Sequence, residues 1–312
     1  MPLPEDEKLI ALSEEVLKAF ENVFGPHPGF RPAHAKGVMV TGTFTPSSEA
    51  PWLTRAQHAN QASTPVTVRF SNSTGLPLIP DNDQGADPRG IAIRFNLAEH
   101  VHTDIVAHSA NAFPATDGRE FLEFLSGVTQ SDPAKVQEFV GSHPKALRFI
   151  QSITPLPVSF ATESYFGLTA MRFTNKDGVS RFGRYTIVPE AAEEHLSADA
   201  AAAKGPNYLF DELTERLAKG PIKFKLTVQV AEDGDAVNDN TVHWPAERKV
   251  VELGSITLKS AVTENAKEQQ YVIFDPIPRL DGIEPSDDPL LELRAAVYLI
   301  SGRKRRTAPP TN

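Results

Sequence analysis

The chain begins with apolar residues at helical spacing. In residues 5–24 the apolar positions fall on one side, and they are Leu9, Leu12, Val16, Leu17 and Phe20. Acidic residues stand near the start of this segment, and Gly25 and Pro26 follow its end. The pattern predicts an amphipathic helix. Apolar and polar residues then alternate with a period of two in four segments, which predicts strands over 37–45, 64–72, 90–97 and 103–113.

The second half of the chain mixes both periodicities. Residues 117–152 return to helical spacing and predict two or three helices, broken at Asp132-Pro133 and His143-Pro144. A hairpin is predicted over 166–189, a helix over 207–219, and strands over 223–232 and 249–260. Neighbouring strands with hairpin connections favour the α+β class, with an antiparallel β-barrel or strongly curled sheet and inserted and C-terminal helices.

A helix is also predicted near the C-terminus, within residues 287–306. Asp288 and Pro289 suit its N-cap and first turn, and Gly302 predicts its end after about three turns. Its apolar face predicts partial burial and consists of Leu290, Leu293, Val297 and Ile300.

Arg294 and Tyr298 lie four residues apart on this helix, so they are neighbours on one face. A fixed positive charge beside a phenol favours the phenolate, and a tyrosinate is one known proximal ligand of ferric haem. An isolated pair of this kind is more often an ordinary feature of an amphipathic helix. Other residues must therefore support the haem interpretation.

Composition narrows the chemistry. The 312 residues include no cysteine, which excludes disulfides, cysteine-bound iron–sulfur clusters and cysteine nucleophiles, so redox chemistry would need a bound cofactor. The formal net charge of −9 argues against a nucleic-acid partner, although residues 303–306 are all basic. We expect no secretion signal, because the first residues are acidic, and no membrane span, because no apolar run approaches about twenty residues. A cytoplasmic protein is the resulting expectation.

Several further segments, in a fixed order along the chain, support the haem interpretation of Arg294 and Tyr298. They are RPAHAKG (31–37), VRFS (68–71), DPRGIAIRF (87–95), Trp244-Pro245, FDP (274–276), GIEPS (282–286) and RAAVY (294–298). Together, over residues 28–306, they resemble the haem catalases, and specifically the short catalase-related peroxidases. The resemblance implies a single haem-binding domain over 1–312, with a catalase-like core and haem b between the barrel and the C-terminal helix.

The resemblance also implies roles for individual residues. His34 matches the distal histidine, which moves a proton between the two peroxide oxygens, and Ser71 matches the serine that holds its ring. Strand alternation independently puts Ser71 on the same face as Arg69.

The remaining matches concern the cofactor itself. Tyr298 matches the proximal iron ligand, Arg294 its cationic partner, and Phe113 the aromatic residue on the distal porphyrin face. The residues that match partners of the haem propionates are Arg31, Arg69 and Arg305.

The chain also departs from the catalase pattern. Matching on Asp104 and Phe113 puts His108 where catalases carry an asparagine, while Asn111 would face another way in a regular strand. Efficient dismutation of hydrogen peroxide is therefore not expected, and the role of His108 stays open. Tetramers formed by arm exchange and bound NADPH are not expected either, because the long terminal extensions of large catalases are missing. A homodimer is possible.

The implied function is a haem-dependent peroxidase. It would reduce hydrogen peroxide or an organic hydroperoxide through a ferryl intermediate, with a small organic electron donor and weak catalase activity. Two alternatives remain open at this point. One is a hydroperoxide isomerase of the allene-oxide-synthase type, and the other is a non-enzymatic barrel that binds or carries haem.

Overall fold

Eight antiparallel strands close into a barrel in the computed structural model, which describes residues 3–310. In chain order the strands are β1 (Gly37–Pro46), β2 (Thr64–Ser71), β3 (Gly90–Ala98), β4 (Val101–His108), β5 (Tyr165–Thr174), β6 (Ser180–Pro189), β7 (Ile222–Val230) and β8 (Val250–Ala261). Their order around the barrel is β4-β3-β2-β1-β8-β7-β6-β5, and His108 opposite Phe166 closes it. A short strand, β9 (Ile283–Pro285), pairs with β5. The predicted α+β class and antiparallel barrel are confirmed.

Helices are inserted between the strands and follow the last of them. They are α1 (Glu7–Phe24), α2 (Ala50–Leu53), α3 (Gly118–Val128), α4 (Pro133–Ser142), α5 (Pro144–Gln151), α6 (Ala198–Ala202), α7 (Tyr208–Lys219), α8 (Asn265–Tyr271) and α9 (Pro289–Thr307). The predicted helices are all present. The sequence pattern missed α2, α6 and α8, which span at most two turns and are too short to show a periodicity. Within residues 3–310, no helix combines the length and apolar character needed to cross a bilayer.

Aspartate side chains begin four of these helices. The carboxylates of Asp6, Asp117, Asp132 and Asp288 accept hydrogen bonds from backbone N–H groups of α1, α3, α4 and α9 at 2.8–3.0 Å. Each cap satisfies donors that the first helical turn leaves unpaired. Proline in the first turn of α4, α5 and α9 loses nothing there, because its missing N–H would have no helical partner.

Two predicted boundaries were wrong. The strand predicted over 103–113 ends at His108. The C-terminal helix does not end at Gly302 but continues to Thr307, and Gly302 is buried inside it. A Cβ atom at Gly302 would lie 2.3 Å from Cδ1 of Ile273, so this glycine allows α9 to approach the segment after α8. Position 302 is therefore a glycine because of close packing, and not because the helix ends there.

The inner and outer faces of the barrel strands carry different kinds of side chain. The interior holds apolar side chains, among them Phe70 and Phe95, whereas Arg69, Ser71 and His108 occupy alternate positions on the outer face of β2 and β4. A second apolar cluster lies outside the barrel, where α1 packs against α9 through Val16, Leu17 and their neighbours. The outer wall and these helices enclose a space between them.

His58 is an unusual member of the barrel core. It is 1 % exposed, and neither ring nitrogen has a hydrogen-bond partner within the described residues. Its ring centroid lies 4.6 Å from that of Phe95 and 5.9 Å from that of Phe44. Burial lowers the pKa of His58 from 6.5 to about 4, because the charged ring cannot be solvated.

Between neutral pH and about pH 5, we expect the free energy of unfolding of His58→Leu to fall by about 2 kcal/mol less than that of the parent. The folded-state pKa of about 4 lies below the unfolded value of 6.5, so the unfolded chain binds more protons between them and stability falls as the pH drops. At neutral pH the variant should be at least as stable as the parent, because two unpaired polar atoms disappear. Urea unfolding at both pH values measures the difference, and equal losses in the two proteins would contradict the expectation.

Candidate active site

A cavity of about 240 Å³ lies between the outer wall of β2–β4 and the helices α1, α3 and α9. All nine site residues predicted from the sequence border it, and they are Arg31, His34, Arg69, Ser71, His108, Phe113, Arg294, Tyr298 and Arg305. Most of the remaining lining is apolar. An enclosed apolar cavity with a few convergent polar groups is the usual form of a ligand site.

His34 and Ser71 form the polar pair on the barrel side. Nδ1 of His34 lies 3.1 Å from Oγ of Ser71, and the backbone N–H of His34 donates to the carbonyl of Ser73 at 2.6 Å. His34 has a φ of 56°, a left-handed conformation that costs energy for a residue with a side chain. Gly90 makes room for the pair, because a Cβ atom there would lie 2.7 Å from both Nδ1 and Oγ. The surrounding chain therefore fixes the ring position.

The electrostatic environment keeps His34 neutral. Burial, followed by the positive charge of Arg69 and the neighbouring His108, lowers the pKa of His34 to about 3. The ring is therefore unprotonated at neutral pH and can accept a proton. Nδ1 interacts with Ser71, while Nε2 makes no hydrogen bond within the described residues. Nε2 is the atom available to a molecule in the cavity.

His108, the last residue of β4, borders the same cavity. Burial, followed by the positive charge of Arg294, lowers its pKa to about 4, and its Nδ1 has no hydrogen-bond partner within residues 3–310. Asn111 is exposed and does not border the cavity, but it lies in the loop after β4, so strand alternation does not set its direction. A neutral imidazole thus takes the position for which the resemblance leads one to expect an amide.

Aromatic rings continue the wall beside His108. Successive centroids lie 5.6–6.5 Å apart in a closed circuit of His108, Phe113, Phe121, Phe124 and Phe149. The phenylalanines come from α3, α5 and the loop before α3. Phe113 and Phe121 border the cavity beside His108, and Phe124 and Phe149 pack behind them.

Three arginines gather at another edge of the cavity, of which Arg69 and Arg305 are buried and Arg31 is partly buried. Arg31 donates to the carbonyls of Gln269 and Val272 at 3.1 Å, and Arg69 donates to the carbonyl of His34 at 2.8 Å and to Oε1 of Gln269 at 2.7 Å. Arg305 donates to Oγ of Ser301 at 3.0 Å and to the carbonyl of Val272 at 2.8 Å. Within the described residues, all their hydrogen-bond acceptors are uncharged.

Burial and mutual repulsion disfavour these charges. Burial, followed by the charge of Arg305, lowers the pKa of Arg69 to about 9. Burial and then Arg306 lower the pKa of Arg305 to about 10, and the pKa of Arg31 falls well below its usual value for the same kind of reason. Arginine is still a cation at neutral pH, so the cluster requires anionic partners. The two propionates of a haem would supply two carboxylates for these guanidinium groups.

Arg294 and Tyr298 lie on the helix side of the cavity, one turn apart on α9. Nε and one terminal nitrogen of Arg294 both lie 3.5 Å from the phenol oxygen of Tyr298. The phenol of Tyr298 and its cationic neighbour thus lie on the wall formed by α9, while His34 and Ser71 lie on the barrel wall. An apolar cavity between an imidazole and a phenol, with unpaired arginines at one edge, fits a haem.

Sequence reasoning missed several residues that support the cavity. Oε1 of Gln269 accepts from Arg69, and its amide donates to the carbonyl of Gly37 at 2.8 Å. Asn240 borders the cavity from the loop before β8, is 4 % exposed, and has an Oδ1 atom without a partner in the described chain. Gln269 belongs to a helix too short to predict, and no motif marks Asn240. Gly90 stood in the quoted DPRGIAIRF segment, so its position could have been noticed.

Comparisons with known proteins point to one family. The family model described as Catalase matches residues 28–309. A protein of Mycolicibacterium paratuberculosis called "Catalase-related peroxidase" is 36% identical over 297 residues, which are 94% of each chain. A protein of Synechococcus elongatus with the same name is 32% identical over 301 residues, covering 94% of this chain and 88% of that one.

A solved structure of a bacterial catalase shares the fold. It aligns with a TM-score of 0.79 at 22% identity and covers 99% of this chain. This chain spans only 64% of the length of that catalase. At this identity the likeness concerns the architecture alone.

In the protein without a cofactor, replacing an arginine of this cluster should cost less stability than replacing a buried arginine that has a carboxylate partner. We expect Arg31→Met to change the free energy of unfolding by less than about 1 kcal/mol, because the lost hydrogen bonds are offset by relief of repulsion. Arg89→Met is the matched comparison, since Arg89 is fully buried, lies 2.9 Å from the carboxylate of Asp87, and donates to Asn72 at 2.6 Å. It should cost about 3–5 kcal/mol. Urea unfolding of both variants tests this, and equal losses would contradict it.

Proposed function

This chain belongs to the catalase family, and we propose that it is a haem-dependent peroxidase acting on hydrogen peroxide or organic hydroperoxides. One observation carries the proposal. A single cavity combines the His34–Ser71 pair, the Arg294–Tyr298 pair and three buried or partly buried arginines whose acceptors within the described residues are uncharged. The relatives called "Catalase-related peroxidase" support the same reading over almost the whole chain.

The cofactor that suits this cavity is haem b. Tyr298 would ligate the iron through its phenol oxygen, and the three arginines would pair with the propionates. When bound, the haem iron supplies the centre at which the O–O bond of a peroxide is broken. Arg294 contributes a positive charge 3.5 Å from the phenol oxygen, which stabilises an anionic ligand at this position. Phe113 contributes an apolar surface for the porphyrin on the side of His108.

The chain's own contribution to O–O cleavage is a proton transfer. Nε2 of neutral His34 accepts the proton from the inner peroxide oxygen and returns it to the outer oxygen, which leaves as water or an alcohol. Ser71 holds Nδ1, and Gly90 lets the two side chains approach, so the ring keeps one orientation. A pKa of about 3 keeps His34 available as a proton acceptor across the physiological pH range.

The overall reaction consumes an external reductant. Two donor molecules each lose one electron and one proton to one hydroperoxide. The products are an alcohol, water and two donor radicals. With hydrogen peroxide as substrate, two waters form. The balance between this turnover and dismutation depends on whether a second peroxide binds well. In the cavity where a second peroxide would bind, His108 presents an imidazole in place of the amide that the family resemblance leads one to expect. We therefore propose that catalase activity is weak.

The aromatic wall supports organic hydroperoxides as substrates. Phe113 and Phe121 present apolar surface to the cavity beside the histidines, and an alkyl or aryl group would bury area against it. An isomerase acting on lipid hydroperoxides would use the same wall. Product analysis with a lipid hydroperoxide and no reductant separates the two functions, because only an isomerase would turn over without a donor.

The proposal also covers the domain organisation, the cellular location and the oligomeric state. The family match over residues 28–309, and a cavity shared by the barrel and the helices, support a single haem-binding domain over 1–312. A cytoplasmic location stays a prediction. A homodimer stays a prediction as well.

The function predicts a large effect of His34→Ala. In the haem-loaded protein the rate of reaction with peroxide should fall by about 10²–10⁴-fold, because the proton acceptor is lost, while haem content stays at the parental level. Stopped-flow absorption and dye oxidation measure the rate. Ser71→Ala is the comparison and should cost less, since it releases the ring without removing it. A parental rate in His34→Ala, or a haem-loaded parent that oxidises no donor, would favour a haem carrier.

The position of His108 predicts a shift in the balance of activities. We expect His108→Asn to raise oxygen release from hydrogen peroxide relative to dye oxidation, because an amide always presents a donor to a bound peroxide. An oxygen electrode and a dye assay on the same haem-loaded sample give the ratio. Phe149→Leu changes the neighbouring wall without adding a polar group and serves as its control. An unchanged ratio in His108→Asn would show that His108 does not set the balance.

A further inference from the structure

A second cavity adjoins the arginine edge of the active site. It has a volume of about 250 Å³ and lies between the C-terminal part of α1, the loop of residues 25–32 and the last turns of α9. We call it the side cavity. It shares part of its lining with the main cavity, namely Phe20, Arg31, Pro32, Ser301 and Arg305. The two spaces therefore meet at the arginines.

The polar lining of the side cavity is mostly cationic. Arg31 and Arg305 border it from within, and the partly exposed Lys304 borders it from outside. Nε of Arg305, a residue only 4 % exposed, has no hydrogen-bond partner in the described part of the chain. Glu21 is the carboxylate in the lining, and its two oxygens already pair with Lys18 at 3.4 Å and Lys304 at 3.8 Å.

This positive charge exceeds what the proposed cofactor can neutralise. Two propionates facing three arginines leave one guanidinium charge over, while Glu21 and Lys304, which lie 3.8 Å apart at the mouth, offset each other. The chain as a whole carries a formal net charge of −9, so the mouth is a local exception. A cationic concavity on an acidic protein concentrates small anions. Peroxides are neutral and gain nothing from such a site.

We propose that the side cavity binds the electron donor, and that the donor is a small anion such as an enediolate or a phenol bearing a carboxylate. This inference rests on the proposed peroxidase function and deepens it by naming the class of reductant. A donor in the side cavity would lie next to the arginines that hold the cofactor, outside the space used by the peroxide. Each donor gives up one electron and one proton, so two donors reduce one hydroperoxide to alcohol and water.

Binding of a redox-inert anion to the haem-loaded protein tests the site without relying on turnover. Benzoate is the probe, benzamide is its neutral counterpart, and isothermal titration calorimetry gives each dissociation constant. Lys304→Glu reverses an exposed charge and should weaken benzoate binding by roughly threefold to tenfold, with no effect on benzamide. The difference should shrink as ionic strength rises.

Two control variants sharpen the test. Lys225→Glu makes the same change of net charge on β7, where Lys225 pairs with Glu252 at 3.3 Å, away from both cavities, and should leave the dissociation constant of benzoate unchanged. Glu21→Gln removes the carboxylate of the side cavity and should tighten benzoate binding. In turnover, Lys304→Glu should raise the KM of a carboxylated phenol more than that of a neutral phenol, and Lys225→Glu should change neither KM.

Different results overturn the two proposals separately. If Lys304→Glu and Lys225→Glu bind benzoate equally well, or if benzamide responds as benzoate does, the donor site is refuted even when a neutral phenol is oxidised normally. If benzoate binding responds as expected but no donor is oxidised with peroxide, the peroxidase function fails and the assignment of a reductant falls with it, leaving only an anion site.

Discussion

Three like charges, buried or partly buried around one cavity, are the constraint on which the rest of this structure depends. The guanidinium groups of Arg31, Arg69 and Arg305 come from a loop, a strand and a helix, and within residues 3–310 they donate only to uncharged acceptors. Their positions impose local requirements on the chain. Gly37 has no side chain because a Cβ atom there would lie 2.2 Å from a terminal nitrogen of Arg69. The short helix α8 places Gln269 and the carbonyl of Val272 where they accept hydrogen bonds from all three arginines.

The barrel determines which residues can reach this cluster. Along β2, Val68 and Phe70 enter the apolar interior, while Arg69 and Ser71 face the cavity. Because side chains alternate across a strand, a shift of register by one residue would exchange the two sets. The apolar packing of the interior thus fixes the position of a charged pocket on the opposite face of the same wall. Stability of the core and placement of the site have one structural cause.

The sequence predicted the features that follow from regular patterns. Alternation and helical spacing predicted the eight barrel strands and every helix longer than two turns, and the family resemblance singled out nine residues that border one cavity. Packing determined what the patterns missed. Gly302 has the appearance of a helix end, yet it lies inside α9 where Ile273 leaves no room for a side chain. The helix α8 is too short for a periodicity, and the buried amide of Asn240 belongs to a loop.

The contact between α1 and α9 has a consequence for biosynthesis. These helices are far apart in sequence, and both are needed to cover the cavity. A ribosome releases α1 early, so the apolar side chains of Val16 and Leu17 stay without their partner until α9 has been translated. Until then the cavity lacks the wall that carries Arg294 and Tyr298. A haem site made of these residues would therefore be complete only after α9 has been translated.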